Sequence, residues 1–209
     1  MSPYIFPPAP QAAVPVQGSA QQYAVSRIFC VGRNYAAHAR EMGFDPDREP
    51  PFYFHHEMEL VIAIGKPALR VTPETALECV WGYACGLDMT RRDLQFKARD
   101  KGRPWDFGKD FDHAAVIGTL APASVIGHPA KGGIRLTVNG QIKQNADIKD
   151  LIWSVPEIVA NLSAYYPLRP GDLIYTGTPE GVGPVQPGDV LAGRIEGVGE
   201  IALTIGQPL

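Results

Sequence analysis

Two glutamates, Glu57 and Glu59, stand at the start of an aliphatic run that ends at Gly65. The run is rich in β-branched residues and is therefore predicted to be a buried strand. Alternate residues of a strand project to the same side, which places the two carboxylates together. Like charges held this close repel each other, and a hard divalent cation would offset the repulsion because it prefers carboxylate oxygens. A solvated strand edge with two unrelated acids is the alternative.

A second predicted strand runs from residue 80 to 89 and alternates between large and minimal side chains. One side carries large apolar residues, and the other carries Gly82, Ala84, Gly86 and Asp88. Such a row of minimal side chains indicates that another group approaches the strand closely, where Asp88 would meet it. Alternatively, glycine and alanine only make room for a neighbouring strand.

A third candidate pair, His38 and Glu41, lies in the alanine-rich stretch between Asn34 and Gly43. Alanine favours helix and Gly43 can end it, so the two residues are predicted to lie on one helical face. The ordinary pKa of histidine, near neutrality, suits a general base, and a neighbouring glutamate can orient the imidazole ring. The alternative is an exposed histidine with a casual acidic neighbour.

The composition argues against several classes of protein. A chain of 209 residues fits one domain with a real core. A net charge of -3 without a basic run gives no indication of nucleic-acid or membrane partners. The sequence has no apolar run near the roughly 18 residues of a membrane span and no secretory pattern in residues 1–22. The 3 cysteines form neither an even framework nor a C-x-x-C pair, so a cytoplasmic location is expected.

Strands and turns are predicted to outnumber helices, because glycine (22) and proline (20) are frequent. Residues 1–22 are predicted to form an extended N-terminal arm with little regular structure, and residues 23–209 a single domain. The pattern further predicts a capped helix over 72–79, a polar helix from 90, a loop over 101–111, a hairpin turned at Asn139-Gly140, a helix over 150–165, and a glycine-rich loop over 176–183.

Five stretches, in order along the chain, resemble motifs of the fumarylacetoacetate hydrolase family. They are Gly32-Arg33-Asn34-Tyr35 with His38 and Glu41, Glu57-Met58-Glu59, Gly86-Leu87-Asp88-Met89-Thr90-Arg91-Arg92-Asp93, Pro104-Trp105 with Lys109, and Thr176-Gly177-Thr178-Pro179-Glu180-Gly181-Val182-Gly183. The resemblance covers about residues 27–205. Within the family, the chain is most similar to the fumarylpyruvate hydrolase, or acylpyruvase, branch. The stretches that carry this similarity are Trp81-Gly82-Tyr83, the doubled Arg91-Arg92, Gly102-Arg103-Pro104-Trp105 and Asp150-Leu151-Ile152-Trp153-Ser154-Val155.

The resemblance implies a mixed, β-rich α+β fold, with a rolled or flattened barrel-like β core and short peripheral helices. It also implies that residues 23–209 form the catalytic domain and that the protein is a homodimer. One Mg²⁺ or Mn²⁺ per chain would be held by Glu57, Glu59 and Asp88. Three carboxylates leave positions of an octahedral ion open for water and substrate, which suits these two metals.

The activity implied by the resemblance is hydrolytic carbon–carbon cleavage of a 2,4-diketo acid, an acylpyruvate such as fumarylpyruvate, in the catabolism of aromatic compounds. His38 would be the base that activates water, and Glu41 would orient it. Lys109 would supply positive charge to the developing oxyanion or to a substrate carboxylate. A lysine in a polar loop is also typical of a solvated charge.

Four more residues are predicted to bind the keto-acid substrate. Arg92 and Gln95, one helical turn apart, would bind its polar groups. Thr178 and the amides of its glycine-rich loop would hold the α-carboxylate, although a tight turn between strands explains the glycines equally well. Arg91 would engage a second, distal carboxylate, as a fumaryl group requires.

The chain departs from the family pattern between Phe54 and His55. Family members usually carry a lysine-proline segment and a further strand at this point. Either the protein has lost this segment, or the sequence joins residues across a stretch that is missing from it. The second explanation is favoured because a deletion would uncover a sheet edge beside the metal.

Two other functions compete with the hydrolase. The same metal site could serve an oxaloacetate decarboxylase or a related keto-acid isomerase, because chelation of an α-keto acid stabilises the same kind of enolate. A non-catalytic metal- or ligand-binding protein on the same scaffold belongs to a different class.

Overall fold

The computed structural model of the protein describes residues 11–31, 34–41 and 57–207, and its centre is a six-stranded mixed sheet. In spatial order the strands are β3 (Ile28–Cys30), β10 (Leu173–Tyr175), β4 (Met58–Ile64), β5 (Val80–Asp88) and β6 (Ala115–Ile117), and β7 (Ala121–Pro122) also pairs with β5. The pair β3–β10 is parallel, and the other pairs are antiparallel. Both strands predicted to carry the acidic residues, β4 and β5, therefore lie next to each other within this sheet.

The two faces of β4 and β5 pack against different apolar clusters. Every residue of β4 is buried, as its continuous aliphatic run predicts for a strand covered on both sides. Leu60 and Ile62 belong to the main apolar cluster, whereas Val61 and Ala63 belong to a smaller one. This alternation follows the two-residue period of a strand. The odd-numbered face of β4 is also the face that carries Glu57 and Glu59.

A four-stranded antiparallel sheet lies across the main apolar cluster. Its strands, in the order β12–β11–β8–β9, are β8 (Gly133–Val138), β9 (Gln141–Asp147), β11 (Val190–Ile195) and β12 (Gly199–Thr204). The turn between β8 and β9 is Asn139-Gly140, where both residues have positive φ, 51° and 78°. This is the backbone that a two-residue hairpin requires, so the predicted hairpin is confirmed.

The helices are short and peripheral, which confirms the predicted β-rich α+β class. They are α1 (Ala36–Glu41), α2 (Pro73–Ala76), α3 (Arg92–Arg99), α4 (Asp106–Lys109), α5 (Ala123–Ile126) and α6 (Val155–Tyr165), with 3-10 turns at Leu77–Cys79 and Ile148–Asp150. Among the described residues, no helix is long and apolar enough to cross a membrane.

Two helix predictions need correction. The helix predicted over 150–165 begins only at Val155, because Asp147 caps a separate turn by accepting the N–H of Lys149 at 2.9 Å. The Glu157 carboxylate, which accepts the N–H of Ser154 at 2.9 Å, then starts α6. The loop predicted over 101–111 contains the one-turn helix α4, which ends at Lys109.

The predicted arm is also corrected, because part of it is folded onto the central sheet. β1 (Ala13–Pro15) and β2 (Gln22–Ala24) form an antiparallel hairpin, so the boundary predicted between residues 22 and 23 falls inside β2. Val14 is 2% exposed and belongs to the smaller apolar cluster. A single buried side chain among prolines leaves no periodic signal in the sequence, which explains why the hairpin was not predicted.

Candidate active site

Glu57, Glu59 and Asp88 lie together at one end of the β4–β5 pair. The main-chain oxygen of Glu57 accepts the N–H of Asp88 at 3.0 Å, and Glu59 is paired with Gly86. All three carboxylates are buried. The structure thus brings together the three residues that were predicted as metal ligands. Glu59 belongs to β4, Glu57 directly precedes β4, and Asp88 is the last residue of β5.

Burial makes the negative charge of Glu59 unfavourable. Its pKa is raised well above the ordinary value, first because the carboxyl is removed from water and then because Asp88 and Glu57 repel its charge. The N–H of Gly177, which donates to Glu59 Oε2 at 2.8 Å, and the nearby Lys109 oppose this shift. The Gly177 N–H and Lys109 therefore do not fully compensate the negative charge of the three carboxylates.

The row of minimal side chains on β5 makes room for neighbouring parts of the protein. A Cβ at Gly86 would lie 2.5 Å from Tyr175 Cε1 and 2.5 Å from Val61 Cγ2. A Cβ at Gly82 would collide with the main-chain oxygen of Ala121. Of the two interpretations left open by the sequence, the structure therefore supports close packing of a neighbour at these two positions.

Lys109 lies in the carboxylate cluster. Its Nζ is 3.0 Å from Asp88 Oδ2, and both side chains are almost fully buried. Helix α4 brings the lysine there because its Gly108 carbonyl accepts the N–H of Arg91 at 2.9 Å, which ties α4 to the start of α3. The alternative of a solvated surface charge is therefore wrong for Lys109.

Arg92 and Gln95 extend the site along α3. The Arg92 guanidinium donates to Gln95 Oε1 at 3.1 Å and lies 3.6 Å from Glu57 Oε1. Gln95 is buried, whereas Arg92 is partly exposed. The predicted pair on one helical turn is thus next to the carboxylate cluster, with the guanidinium turned toward Glu57.

The donor set fits a hard divalent cation, although the side chains are not arranged around one point. Within the described ranges, no three histidine, cysteine, aspartate or glutamate side chains converge as metal ligands do. Asp88 instead faces Lys109, and Glu59 accepts the N–H of Gly177. Three buried carboxylates with a disfavoured charge are oxygen ligands that Mg²⁺ or Mn²⁺ would stabilise.

Thr178 differs from its predicted role, because its hydroxyl is engaged within the protein. Its Oγ1 donates to the main-chain oxygen of Met58 at 3.0 Å and accepts from Gln144 Nε2 at 2.8 Å. The glycine-rich loop therefore runs along the start of β4, where the Gly177 amide holds Glu59. In this arrangement Thr178 positions the strand that carries the glutamates and does not present a free donor to a substrate.

Gln144 is a buried residue of this network that sequence reasoning missed. Its Oε1 accepts the N–H of Met58 at 3.1 Å, and its Nε2 donates to Thr178 Oγ1 and to the Pro179 carbonyl, each at 2.8 Å. One side chain of β9 thereby joins the four-stranded sheet, the glycine-rich loop and the start of β4. The surrounding strand has the sequence QIKQNAD, with three other amide or basic side chains beside Gln144, so the sequence contains no signal that singles out this glutamine.

Cys30 is a second residue that sequence reasoning did not place near the site. The pKa of its thiol is raised well above the ordinary value, first by burial and then by the charges of Asp88 and Glu59. The thiol at the end of β3 is therefore protonated at neutral pH beside the carboxylates.

His38 and Glu41 lie on α1, so the predicted helix exists around them. They are three positions apart, as a pair on one helical face requires. Their side chains lie outside the described part of the structure, and the roles of base and orienting acid stay predictions.

A cavity of about 500 Å³ lies beside the carboxylate cluster. It is lined by residues 89–93, by Phe96 and by residues 182–185. Arg91 and Arg92 both contribute to its wall. The Arg91 guanidinium lies 4.5 Å from the centre of the Phe111 ring, a cation–π distance.

Residues 52–206 match the fumarylacetoacetate hydrolase C-terminal family. The chain belongs to this family. The matching range includes the three carboxylates, Lys109 and the glycine-rich loop. The recognition made from five ordered motifs is therefore confirmed.

Three similar proteins show which members of the family this chain resembles. A fumarylpyruvate hydrolase from a Ralstonia species is 58% identical over 153 residues, which cover 73% of this chain and 79% of that protein. An oxaloacetate tautomerase from Escherichia coli is 34% identical over 204 residues, which cover 87% and 93% of the two chains. The crystal structure of fumarylpyruvate hydrolase from Pseudomonas aeruginosa, in complex with Mn²⁺ and pyruvate, has a TM-score of 0.95 and 48% identity, and the match covers 99% of this chain and 100% of that one. The predicted fold of the family is thereby confirmed.

The predicted departure between Phe54 and His55 lies outside the described residues. The alignment with the Escherichia coli relative is 204 residues long and covers 87% of a chain of 209 residues, so this chain has gaps in that alignment. Such gaps agree both with a lost segment and with a segment that is missing from the sequence.

Proposed function

We propose that the protein is a metal-dependent hydrolase that cleaves a carbon–carbon bond of an acylpyruvate, with fumarylpyruvate as substrate and fumarate and pyruvate as products. The observation that carries the proposal is the buried cluster of Glu57, Glu59 and Asp88, with Lys109 and Arg92 against it. The 58% identity to a protein named fumarylpyruvate hydrolase supports the choice of substrate.

The reaction balances with one water molecule. Oxygen of water bonds to the carbonyl carbon of the acyl group, and the bond from this carbon to the pyruvate methylene carbon breaks. The electron pair of the broken bond goes to the pyruvate fragment, which takes up a proton and becomes pyruvate. The acyl group leaves as a carboxylic acid.

Glu57, Glu59 and Asp88 would hold the metal ion, and the P. aeruginosa relative with Mn²⁺ supports Mn²⁺ or Mg²⁺ as that ion. A bound divalent cation supplies Lewis-acid polarisation of the α-keto acid. Lys109 contributes a fixed positive charge 3.0 Å from Asp88, inside the protein where water screens it little. The Arg92 guanidinium and the Gln95 amide orient the keto acid by hydrogen bonds.

His38 is proposed as the base that takes a proton from the attacking water, with Glu41 stabilising the imidazolium that forms. Helix α1 carries both residues. Thr178 is proposed as a positioning residue for β4, because its hydroxyl already binds Met58 and Gln144.

A tautomerase or decarboxylase acting on oxaloacetate is the second candidate. It is favoured by the relatives named oxaloacetate tautomerase, of which the E. coli protein is 34% identical. The higher identity to the Ralstonia hydrolase gives preference to acylpyruvate cleavage.

The deciding experiment compares fumarylpyruvate, acetylpyruvate and oxaloacetate with purified protein, with Mg²⁺ or Mn²⁺ and with a chelator. We expect release of pyruvate from fumarylpyruvate that stops when the chelator is added. Faster tautomerisation or decarboxylation of oxaloacetate, with little release of pyruvate from the acylpyruvates, would instead establish the second candidate.

The role of His38 is tested in the same assay. We expect His38→Ala to lower kcat for hydrolysis by at least roughly 100-fold, because general base catalysis contributes at least this factor to the rate. Binding of Mn²⁺, measured by calorimetry, should be unchanged because the carboxylates are intact. Hydrolysis retained by this variant would show that His38 is not the base.

The proposed assembly is a homodimer, and the proposed location is the cytoplasm. Family membership supports the first, and the cysteine pattern without an even framework supports the second. Light scattering of the purified protein at several concentrations would test the dimer.

A further inference from the structure

We propose that the hydroxyl of Thr90 is a further catalytic group, which donates a hydrogen bond to an oxygen of the α-keto acid part of the substrate. This inference rests on the proposed function and adds a residue for which the sequence predicted no role. The α-keto acid part is common to all acylpyruvates, so the contact does not select among acyl groups.

The Thr90 hydroxyl has no hydrogen-bond partner in the part of the chain that the structure describes, and its oxygen is shielded from solvent. A buried hydroxyl without a partner lowers the stability of the fold, because it has lost its hydrogen bonds to water. Buried polar groups of folded proteins nearly always have partners. This exception therefore points to a partner that comes from outside the chain.

Thr90 lies where a bound molecule can supply that partner. The residue lines the cavity beside the carboxylate cluster. Two arginines, Arg91 and Arg92, and one acid, Asp93, line the same cavity. The excess of positive charge in the lining favours an anionic oxygen as the partner of the hydroxyl.

The main chain is held by hydrogen bonds on both sides of Thr90. The N–H of Met89 donates to the Ala114 carbonyl at 2.7 Å, and the N–H of Arg91 donates to the Gly108 carbonyl at 2.9 Å. Threonine is β-branched, so its side chain has few χ1 positions. The hydroxyl is therefore placed before a substrate binds, and little ordering is needed to form the contact.

The neighbours of Thr90 along the chain indicate which end of the substrate it contacts. Thr90 stands two positions after Asp88, a proposed metal ligand, and two before Arg92, which is proposed to orient the keto acid. During cleavage the electron pair of the broken bond goes to the pyruvate fragment. A fixed donor to an oxygen of this fragment stabilises the charge that develops there.

Steady-state kinetics of Thr90→Val test the contact, because valine keeps the shape of the side chain and lacks the hydroxyl. We expect kcat/KM of the Mn²⁺-loaded enzyme to fall about 10- to 100-fold, the effect of one hydrogen bond to a charged group. The factors for fumarylpyruvate and acetylpyruvate should agree within about 3-fold. A loss with fumarylpyruvate alone would place the hydroxyl at the acyl group and overturn the proposal.

Thr90→Ser restores the hydroxyl without the methyl group. We expect its kcat/KM to lie within about 5-fold of that of the unmodified protein, since serine has the same donor but more rotational freedom. Activity as low as that of Thr90→Val would mean that the methyl group is the part that matters, which contradicts the proposal.

The melting temperature of the metal-free protein gives a readout that does not depend on activity. We expect Thr90→Val to melt about 1–4 °C higher than the unmodified protein, because a buried hydroxyl without a partner is replaced by a methyl group. A lower melting temperature would show that the hydroxyl has a partner in the fold, and would overturn the proposal.

Thr137→Val is the matched control. The Thr137 hydroxyl on β8 donates to the Ala192 carbonyl at 3.1 Å, and the residue does not line the cavity. We expect kcat/KM of this variant to equal that of the unmodified protein for both substrates. A loss like that of Thr90→Val would assign the effect to the exchange of threonine for valine in general.

Binding of pyruvate separates this inference from the proposed function. We expect calorimetry with the Mn²⁺-loaded protein to show that Thr90→Val binds pyruvate about 10-fold more weakly, with unchanged affinity for Mn²⁺. If this holds while no acylpyruvate is hydrolysed, the contact stands and the proposed reaction fails. If Thr90→Val hydrolyses acylpyruvates as fast as the unmodified protein, the reaction stands and the contact fails.

Discussion

At the scale of single residues, Glu59 has an unfavourable charge in the metal-free protein. Its pKa is raised by burial and by Asp88 and Glu57. An acid whose pKa is higher in the folded state reduces the stability of the fold as pH rises above its unfolded pKa, about 4.3 for glutamate. A group that a protein keeps at such a cost is typical of a functional site.

We therefore expect Glu59→Gln to raise the melting temperature of the metal-free protein at neutral pH by about 2–4 °C, equivalent to about 1 kcal/mol. The glutamine oxygen can still accept the N–H of Gly177, so the fold keeps that contact. The gain should shrink as the pH is lowered toward the unfolded pKa of glutamate, about 4.3, because the carboxyl is then protonated in both the folded and the unfolded state. Calorimetric binding of Mn²⁺ should weaken by more than about 10-fold, since one anionic ligand is lost.

The exposed Glu78 provides the control for this prediction. We expect Glu78→Gln to change neither the melting temperature, beyond about 1 °C, nor binding of Mn²⁺. A Glu59→Gln protein that melts at a lower temperature than the unmodified one in the absence of metal would contradict the interpretation of the charge.

At the scale of secondary-structure elements, the position of β4 depends on segments distant in sequence. Gln144 of β9 holds the N–H of Met58, and Thr178 holds the carbonyl of the same residue. Met58 lies between the two glutamates, so these bonds fix the backbone from which both carboxylates project. Gln144 also binds the Pro179 carbonyl and thereby keeps the glycine-rich loop against the strand.

Gln144→Met keeps the approximate shape of the side chain and removes all three bonds. We expect a loss of roughly 2–4 kcal/mol in the free energy of unfolding, because the N–H of Met58 and the Pro179 carbonyl are left buried without this partner. Below the unfolding transition, we also expect weaker binding of Mn²⁺ and a lower kcat. Urea unfolding and titration with Mn²⁺ of the folded variant measure the two effects separately.

Gln141→Met, on the exposed part of the same strand, should change neither stability nor affinity appreciably. If Gln144→Met is less stable but binds Mn²⁺ and turns over substrate normally while folded, the glutamine supports only the fold and does not position the site.

At the scale of the whole molecule, the N-terminal hairpin closes the smaller apolar cluster under the site. The hydroxyl of Tyr23 donates to the Ile64 carbonyl at 2.6 Å and accepts the N–H of Gly171 at 3.0 Å. Burial raises the pKa of Tyr23 to about 12, so the hydroxyl keeps its proton at any physiological pH. One phenol thus joins the hairpin to the end of β4 and to the turn before β10.

Tyr23→Phe tests how strongly the hairpin is attached. We expect a loss of about 0.5–1.5 kcal/mol of stability, the net contribution of a typical hydrogen bond, measured by thermal or urea unfolding. The loss is limited because the Gly171 N–H and the Ile64 carbonyl keep their own hydrogen bond of 3.1 Å. Tyr165→Phe is the control, because Tyr165 is 71% exposed. Equal stability of the two variants would mean that the hairpin contributes little to the fold.

The sequence by itself determined the features that depend on neighbouring residues. The spacing of Glu57 and Glu59 placed them on one side of a strand, and Asn139-Gly140 specified a hairpin turn. The order of the motifs identified the family. These features are local because strand periodicity and turn geometry act within a few residues.

Only the tertiary structure decided which distant residues meet. It placed Lys109 against Asp88, used the hydroxyl of Thr178 for packing β4, and brought Gln144 to a strand 86 positions away. These contacts follow from strand register and sheet packing, which pair segments far apart in the chain. No local pattern encodes them, since a buried polar side chain is recognised only when its partners are in place.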